Sequence, residues 1–257
     1  MVRSTEMDRS SEIGVLLIHG FASSPGIWRE MRHVLRKSGF QVSAPCLAGH
    51  GKGVEDLAKA HWFDWVDSVR KAYQELRSTT SRVFVVGHSL GASLGLYFGA
   101  SIIPPSGLVL MAPSVDFSFK NRFALGTVGR FVKTIPIKGF KANREGLQRT
   151  PDLGATAMPI SAVRANLEFK GLVRAMLPAV SCPVLILVGK EDRLVPRGSA
   201  EYILSKISAM DQNRELVILP NSQHAIPLDL DREVAFELSV QFIKRTSGMM
   251  NMEAIRS

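Results

Sequence analysis

The chain has 257 residues, 46% of them apolar and 21% charged, with a formal net charge of +9. That length suits one large domain with a sizeable core, and the balance excludes a disordered or fibrous chain. No run approaches the roughly 20 consecutive apolar residues of a membrane-spanning helix, and two cysteines alone, Cys46 and Cys182, argue against a disulfide framework.

In chain order, the opening "MVRSTEMDRSSE" mixes polar and charged residues and lacks the apolar centre of a secretory signal, so a reducing cytoplasm is the expected compartment. Short apolar runs then alternate with longer amphipathic stretches. Strands are expected at Ile13–Ile18, Phe40–Ala44, Arg82–Val86, Gly107–Met111, Pro183–Val188 and Glu215–Leu219. Each is almost continuously apolar, the pattern of strands covered on both faces. Helices are expected at Gly26–Ser38, Glu55–Arg77, Leu90–Ala100, Gly198–Ala209 and Asp231–Lys244, with Pro25 well placed to open the first. Such alternation implies an α/β fold with a mostly parallel central sheet flanked by helices.

The rhythm breaks between Pro113 and Pro178, where no clear strand is visible and the stretch is too long for a structureless loop in a compact domain. The expectation is an inserted, mostly helical cap over residues 114–178, standing on a core made by residues 1–113 and 179–257. Between Leu110 and Val180 eleven Lys and Arg stand against four Asp and Glu, so the segment carries +7 of the net +9. Two readings of its basic, aromatic part "FSFKNRFALGTVGRFVKTIPIKGFK" (117–141) stay open. Its apolar residues pack on the core while the charges are solvated, or it forms a lid that transiently touches an anionic membrane surface. An apolar tunnel beneath the cap would suit an acyl chain and exclude water. The basic residues follow no recognition-module pattern, so nucleic acid is not an expected partner. The sequence shows no metal-ligand cluster, no dinucleotide fingerprint and, in "AGHGKG", no phosphate-loop spacing, so neither metal nor cofactor is expected.

The most informative stretch is "RVFVVGHSLGASLGLY" (82–97). Gly87-His-Ser-Leu-Gly91 fits G-x-S-x-G where a strand gives way to a helix. Glycines on either side let Ser89 take a strained turn that lifts its hydroxyl out of the carboxyl end of the sheet. The helix that follows offers its amino terminus, and the Leu90 N–H can stabilise an oxyanion. A serine hydroxyl is a weak nucleophile at neutral pH and needs a base. "LPNSQHAIPLD" follows the last expected strand and places His224 at the same sheet edge. "VLILVGKEDRLVP" follows the strand before it and places Asp192 there too. The order Ser…Asp…His suits this architecture, with His224 as base and Asp192 holding its tautomer. Rival bases are His19, His33, His50, His61 and His88. His33 falls within a helix, and the His88 ring is expected to turn away from the serine. Glu191 is expected to point away from the site, while Trp62 and Trp65 read as helix anchors.

The motifs "VLLIHGFASSP", "APCLAGHG", "GHSLG", "GKEDRLVP" and "SQH" make the chain resemble the α/β-hydrolase family, and within it the small bacterial carboxylesterases and monoacylglycerol lipases. The resemblance implies the α/β-hydrolase fold in a reduced form and a second oxyanion donor, the backbone N–H of Phe21 in His19-Gly20-Phe21. Ala92 departs mildly from the glycine many relatives carry there. The implied function is a cofactor-free serine hydrolase that cleaves carboxylic esters of medium or long acyl chains, monoacylglycerols among them. Thioester, amide or carbon–carbon bond hydrolysis of small metabolites is the first alternative, and a non-catalytic ligand-binding protein on the same fold the second. The sequence carries no signal for oligomeric state.

Overall fold

The computed structural model describes residues 12–101, 104–115, 132–136, 155 and 157–249. Six strands form one parallel sheet: β1 (Ile13–Ile18), β2 (Gln41–Ser43), β3 (Arg82–His88), β4 (Gly107–Met111), β7 (Val184–Gly189) and β8 (Arg214–Leu219). Their order across the sheet is β2-β1-β3-β4-β7-β8. After β1 the chain leaves toward one edge, returns across it, and from β3 onward builds toward the other. The switch point therefore falls between β1 and β3, and the crevice beyond their carboxyl ends is where open α/β sheets place ligands.

The four inner strands, β1, β3, β4 and β7, bury both faces because their residues alternate between two cores, while the edge strands β2 and β8 are half-buried. Leu16, Ile18, Val83, Val85, Leu108, Leu110, Val184 and Ile186 enter one apolar cluster, completed by α3 (Trp62–Thr79), α4 (Leu90–Gly99), α5 (Ile160–Met176) and α6 (Ser199–Lys206). Val15, Leu17, Phe84, Val86, Val109, Met111, Leu185 and Leu187 enter the other, with α1 (Arg29–Lys37) and α7 (Arg232–Thr246). Each such side chain contributes about 1.5–3 kcal/mol on burial, so the sheet is a rigid base for the loops at its rim.

Two expected elements differ in detail. The stretch Gly26–Ser38 opens as a 3₁₀ turn, Pro25–Trp28, capped by Ser24 Oγ accepting from the Gly26 N–H at 3.2 Å, before α1 begins. The expected helix Glu55–Arg77 is two helices, α2 (Val54–Lys59) and α3, because Ala60 and His61 are extended. Asp64 Oδ2 accepts from the His61 N–H at 2.9 Å and starts the second helix there, a capping interaction that the run of helix-forming residues does not reveal.

Most of residues 117–141 lies outside the described residues, so its basic character has no structural counterpart here. The described part of 114–178 contains an unexpected antiparallel ladder, β5 (Thr134–Pro136) with β6 (Ala157–Pro159), followed by the 17-residue α5. Ala165, Phe169 and Val173 of α5 belong to the apolar cluster of the sheet, so this helix is welded to the core. Among the described residues no helix is long and apolar enough to cross a membrane.

Candidate active site

Ser89 sits at the junction of β3 and α4 with φ 53° and ψ −111°, a left-handed conformation for a residue with a side chain. Such a conformation costs about 1–3 kcal/mol and persists only where the surroundings impose it. Here they do. A methyl on Gly87 would lie 2.2 Å from the Gly91 carbonyl oxygen, and one on Gly91 would lie 2.0 Å from that of Ile18. The turn can be this tight only with glycine at both positions. The Ser89 N–H is held by the Met111 carbonyl at 2.9 Å, and its own carbonyl accepts from Ala92 and Ser93 N–H. Leu90, buried, is the first residue of α4.

Asp192 lies in the loop after β7 and His224 in the loop after β8. Asp192 Oδ2 is 2.8 Å from His224 Nδ1. Its Oδ1 accepts from the backbone N–H of Leu194 at 2.8 Å and of Val195 at 3.2 Å, which fixes the carboxylate from behind. Burial pushes the Asp192 carboxyl up, but the His224 hydrogen bond and charge and the two N–H donors outweigh it and leave it below the usual carboxylate range. Glu191 is exposed, as expected, and only its N–H takes part, bonding the Ser222 carbonyl.

The loop carrying His224 is pinned by two acids that the sequence reading did not single out. Asp231 accepts from the Asn221 N–H (2.8 Å), Asn221 Nδ2 (3.0 Å) and Ser222 Oγ (2.8 Å). Asp229 accepts from the Gln223 N–H at 2.7 Å. Both acids lie within ten residues of the loop in "LDLD", the one sequence signal that points to them.

Ser89 and His224 line a single small cavity of about 30 Å³, together with Gly20, Phe21, Ser23, Ile27, His88, Ala225 and Leu228. The structure thus brings Ser89, His224 and Phe21 around one space, with Asp192 behind His224 and Leu90 next to Ser89. The His88 side chain is turned toward the loop after β8. The ring lies 5.0 Å, centroid to centroid, from that of His224. The strand-end position directs it across to the β8 loop, where Nε2–H reaches the His224 carbonyl at 2.8 Å.

The other buried histidines support the loop after β1. His19 Nδ1–H donates to the Gly20 carbonyl at 2.9 Å, while Nε2 accepts from the Leu47 N–H at 3.1 Å, so its neutral tautomer is fully bonded. His50 packs against both His19 and Phe21, and Phe21 against Trp65. Trp65 is a core anchor as expected, and the half-buried Trp62 stacks on Phe169. Burial above all, then the nearby His50, holds His19 down to about 3; burial holds His50 down to about 4; burial, then the charge of His224, holds His88 down to about 3. All three are neutral near pH 7. His33 is exposed on α1, and His61 faces Glu168 at 3.5 Å between α3 and α5. Among the described residues no three His, Cys, Asp or Glu side chains cluster as metal ligands.

Residues 15–237 match the family described as "Alpha/beta hydrolase family". The chain is 32% identical over 243 residues to a thermostable monoacylglycerol lipase of Bacillus sp. (strain H-257), covering 92% of each chain. It is 23% identical to a carboxylesterase of Bacillus subtilis (strain 168), covering 92% of this chain and 94% of that one. Among solved structures, one of the metagenome-derived lipolytic enzymes LipS and LipT superposes with a TM-score of 0.84 at 28% identity, covering 91% of this chain and 94% of the other.

Proposed function

Because the chain belongs to the alpha/beta hydrolase family and is an ester hydrolase, we propose that it works through an acyl-enzyme on Ser89 and prefers glycerol monoesters of medium or long acyl chains. The Asp192–His224 hydrogen bond, with Ser89 and His224 facing one cavity, is the observation that carries this reading. With Nδ1 engaged by Asp192, Nε2 of His224 is the ring nitrogen left to take the Ser89 proton. Ser89 Oγ bonds to the ester carbonyl carbon, and the carbonyl oxygen becomes an oxyanion held by the N–H groups of Phe21 and Leu90. The carbon–oxygen bond to the alcohol then breaks, and the proton on His224 passes to the departing oxygen. Water repeats the sequence on the acyl-enzyme: His224 takes its proton, the acid leaves, and Ser89 is protonated again.

The partners of the other buried histidines support this assignment: His19 bonds the Gly20 carbonyl and the Leu47 N–H, His50 the Ala48 carbonyl and His88 the His224 carbonyl, whereas His224 faces the Asp192 carboxylate. The preference for acylglycerols rests on the similarity to the Bacillus lipase. It also rests on a cap over residues 114–178 that would enclose an acyl chain. The +7 segment would meet an anionic lipid surface, and salt-sensitive sedimentation with phosphatidylglycerol vesicles tests that contact.

The function itself is tested with a series of glycerol monoesters from two to eighteen acyl carbons, run beside matched thioesters and amides. The expected kcat/KM rises with chain length and is highest for the esters. A flat series, or a thioester preference, would overturn the assigned substrate class.

A further inference from the structure

The side chain that touches most of this site is one to which the proposed chemistry gives no task. His88, the last residue of β3, directly precedes Ser89 and is 2% exposed. A carbonyl oxygen can only accept, so the 2.8 Å contact with the His224 carbonyl requires the proton of His88 on Nε2. On its other side the ring packs against the loop after β1, where a methyl on Gly20 would lie 2.9 Å from Nδ1. One imidazole therefore adjoins Ser89 through the chain, His224 through a hydrogen bond, and the Phe21 loop through direct packing.

We infer that His88 is a positioning residue that holds the nucleophile, the base and the oxyanion loop in mutual register, a role that rests on the assignments proposed above for Ser89, His224 and Phe21.

The His224 carbonyl accepts from the Ile226 N–H at 3.0 Å as well as from His88. Removing the His88 donor leaves a local turn bond that keeps the loop folded but takes away the hydrogen bond that ties that loop to β3. Asp192 fixes the far end of the His224 ring, so a shift of the backbone swings Nε2 relative to Ser89. A misplacement of about 1 Å can cost roughly 10²-fold in rate. An imidazole suits the task because a flat side chain with two torsions carries a donor across the gap while staying uncharged in its buried setting. A lysine or arginine of similar reach would put a fixed charge beside the imidazolium that forms on His224.

The test compares the parent with His88→Phe, which keeps a flat ring without a donor, and His88→Gln, which keeps a donor of similar reach without a ring. Ser89→Ala serves as the reference, all on one p-nitrophenyl ester. His88→Phe is expected to lose roughly 10- to 100-fold in kcat with KM within about threefold of the parent and an unchanged circular dichroism spectrum. His88→Gln is expected to recover most of that loss. Parent-like kcat in His88→Phe beside an inactive Ser89→Ala overturns the inference while the nucleophile stands, and an active Ser89→Ala overturns the assignment beneath it. Equal losses in the Phe and Gln variants overturn the role of the donor. If the Phe variant does not fold, the parent labelled with ¹⁵N-histidine decides. The Nε2–H tautomer of His88 is expected there, and the Nδ1–H tautomer overturns the proposal.

Discussion

His224 and Asp192 are 32 residues apart in the chain, yet Nδ1 of one lies 2.8 Å from Oδ2 of the other. Strands β7 and β8 lie side by side with Gly189 opposite Leu219, so the loops that follow them emerge together at the sheet rim. Gly189 tightens the meeting: a methyl there would come within 2.3 Å of the carbonyl oxygens of Ser222 and Gln223. Replacing Asp192 with Asn keeps the shape but offers an amide that donates as readily as it accepts, and favours the wrong His224 tautomer. The expected outcome is a kcat lower by about 10³- to 10⁴-fold with a nearly unchanged KM, measured by steady-state ester hydrolysis.

Asp231 tests the support beneath His224. In Asp231→Ala, the Asn221 N–H, Asn221 Nδ2 and Ser222 Oγ all lose their acceptor. Hydrogen bonds to a charged group are each worth about 1.5–3 kcal/mol, and water replaces part of what is lost. Thermal unfolding should show a Tm lower by about 6–12 °C, together with a reduced kcat.

Two glycines should respond in opposite directions to the same change. Gly91→Ala drives a methyl into the backbone carbonyl of Ile18 at 2.0 Å, where no flexible side chain can yield. That variant should lose ester hydrolysis and unfold at least about 10 °C below the parent. Gly171, inside α5, has nothing within 4 Å of the added methyl. Gly171→Ala should raise stability by about 0.5–1 kcal/mol, read as a small increase in Tm with unchanged activity.

The buried histidines set an acid limit on folding. His19, His50 and His88 are held to about 3, 4 and 3 in the folded chain, against 6.5 when unfolded. Below pH 6.5 the unfolded chain takes up protons that the folded one refuses. The stability is therefore complete above pH 6.5 and falls as the pH drops toward 4, with a slope approaching about 4 kcal/mol per pH unit. Urea unfolding at pH 7.5, 6.0 and 5.0 should give falling midpoints, and His50→Gln should flatten the trend.

Much of the sheet was readable because strands buried on both faces leave continuous apolar runs, and β1 and β4 fall where those runs predict. The positions proposed for the triad share a related signal: Ser89, Asp192 and His224 each follow such a run within a few residues. The break between α2 and α3 was not, because Ala60 and His61 have no breaker chemistry of their own and the capping bond depends on geometry. The short ladder β5–β6 was missed because three residues carry too little pattern to register. The partner of the His88 ring was not readable either, because its contact with the β8 loop spans 136 positions and no local pattern encodes it. Asp229 and Asp231 escape a sequence reading for a different reason: their partners lie 6 to 10 positions back in an irregular loop, where no helix or strand period marks a contact.

The proposed covalent step is reached most directly by labelling with a fluorophosphonate probe followed by peptide mapping. The parent should carry one adduct per chain, on Ser89, and Ser89→Ala should carry none and hydrolyse p-nitrophenyl esters at least roughly 10³-fold more slowly. An adduct on another residue, or hydrolysis by Ser89→Ala at the parent rate, would contradict the mechanism.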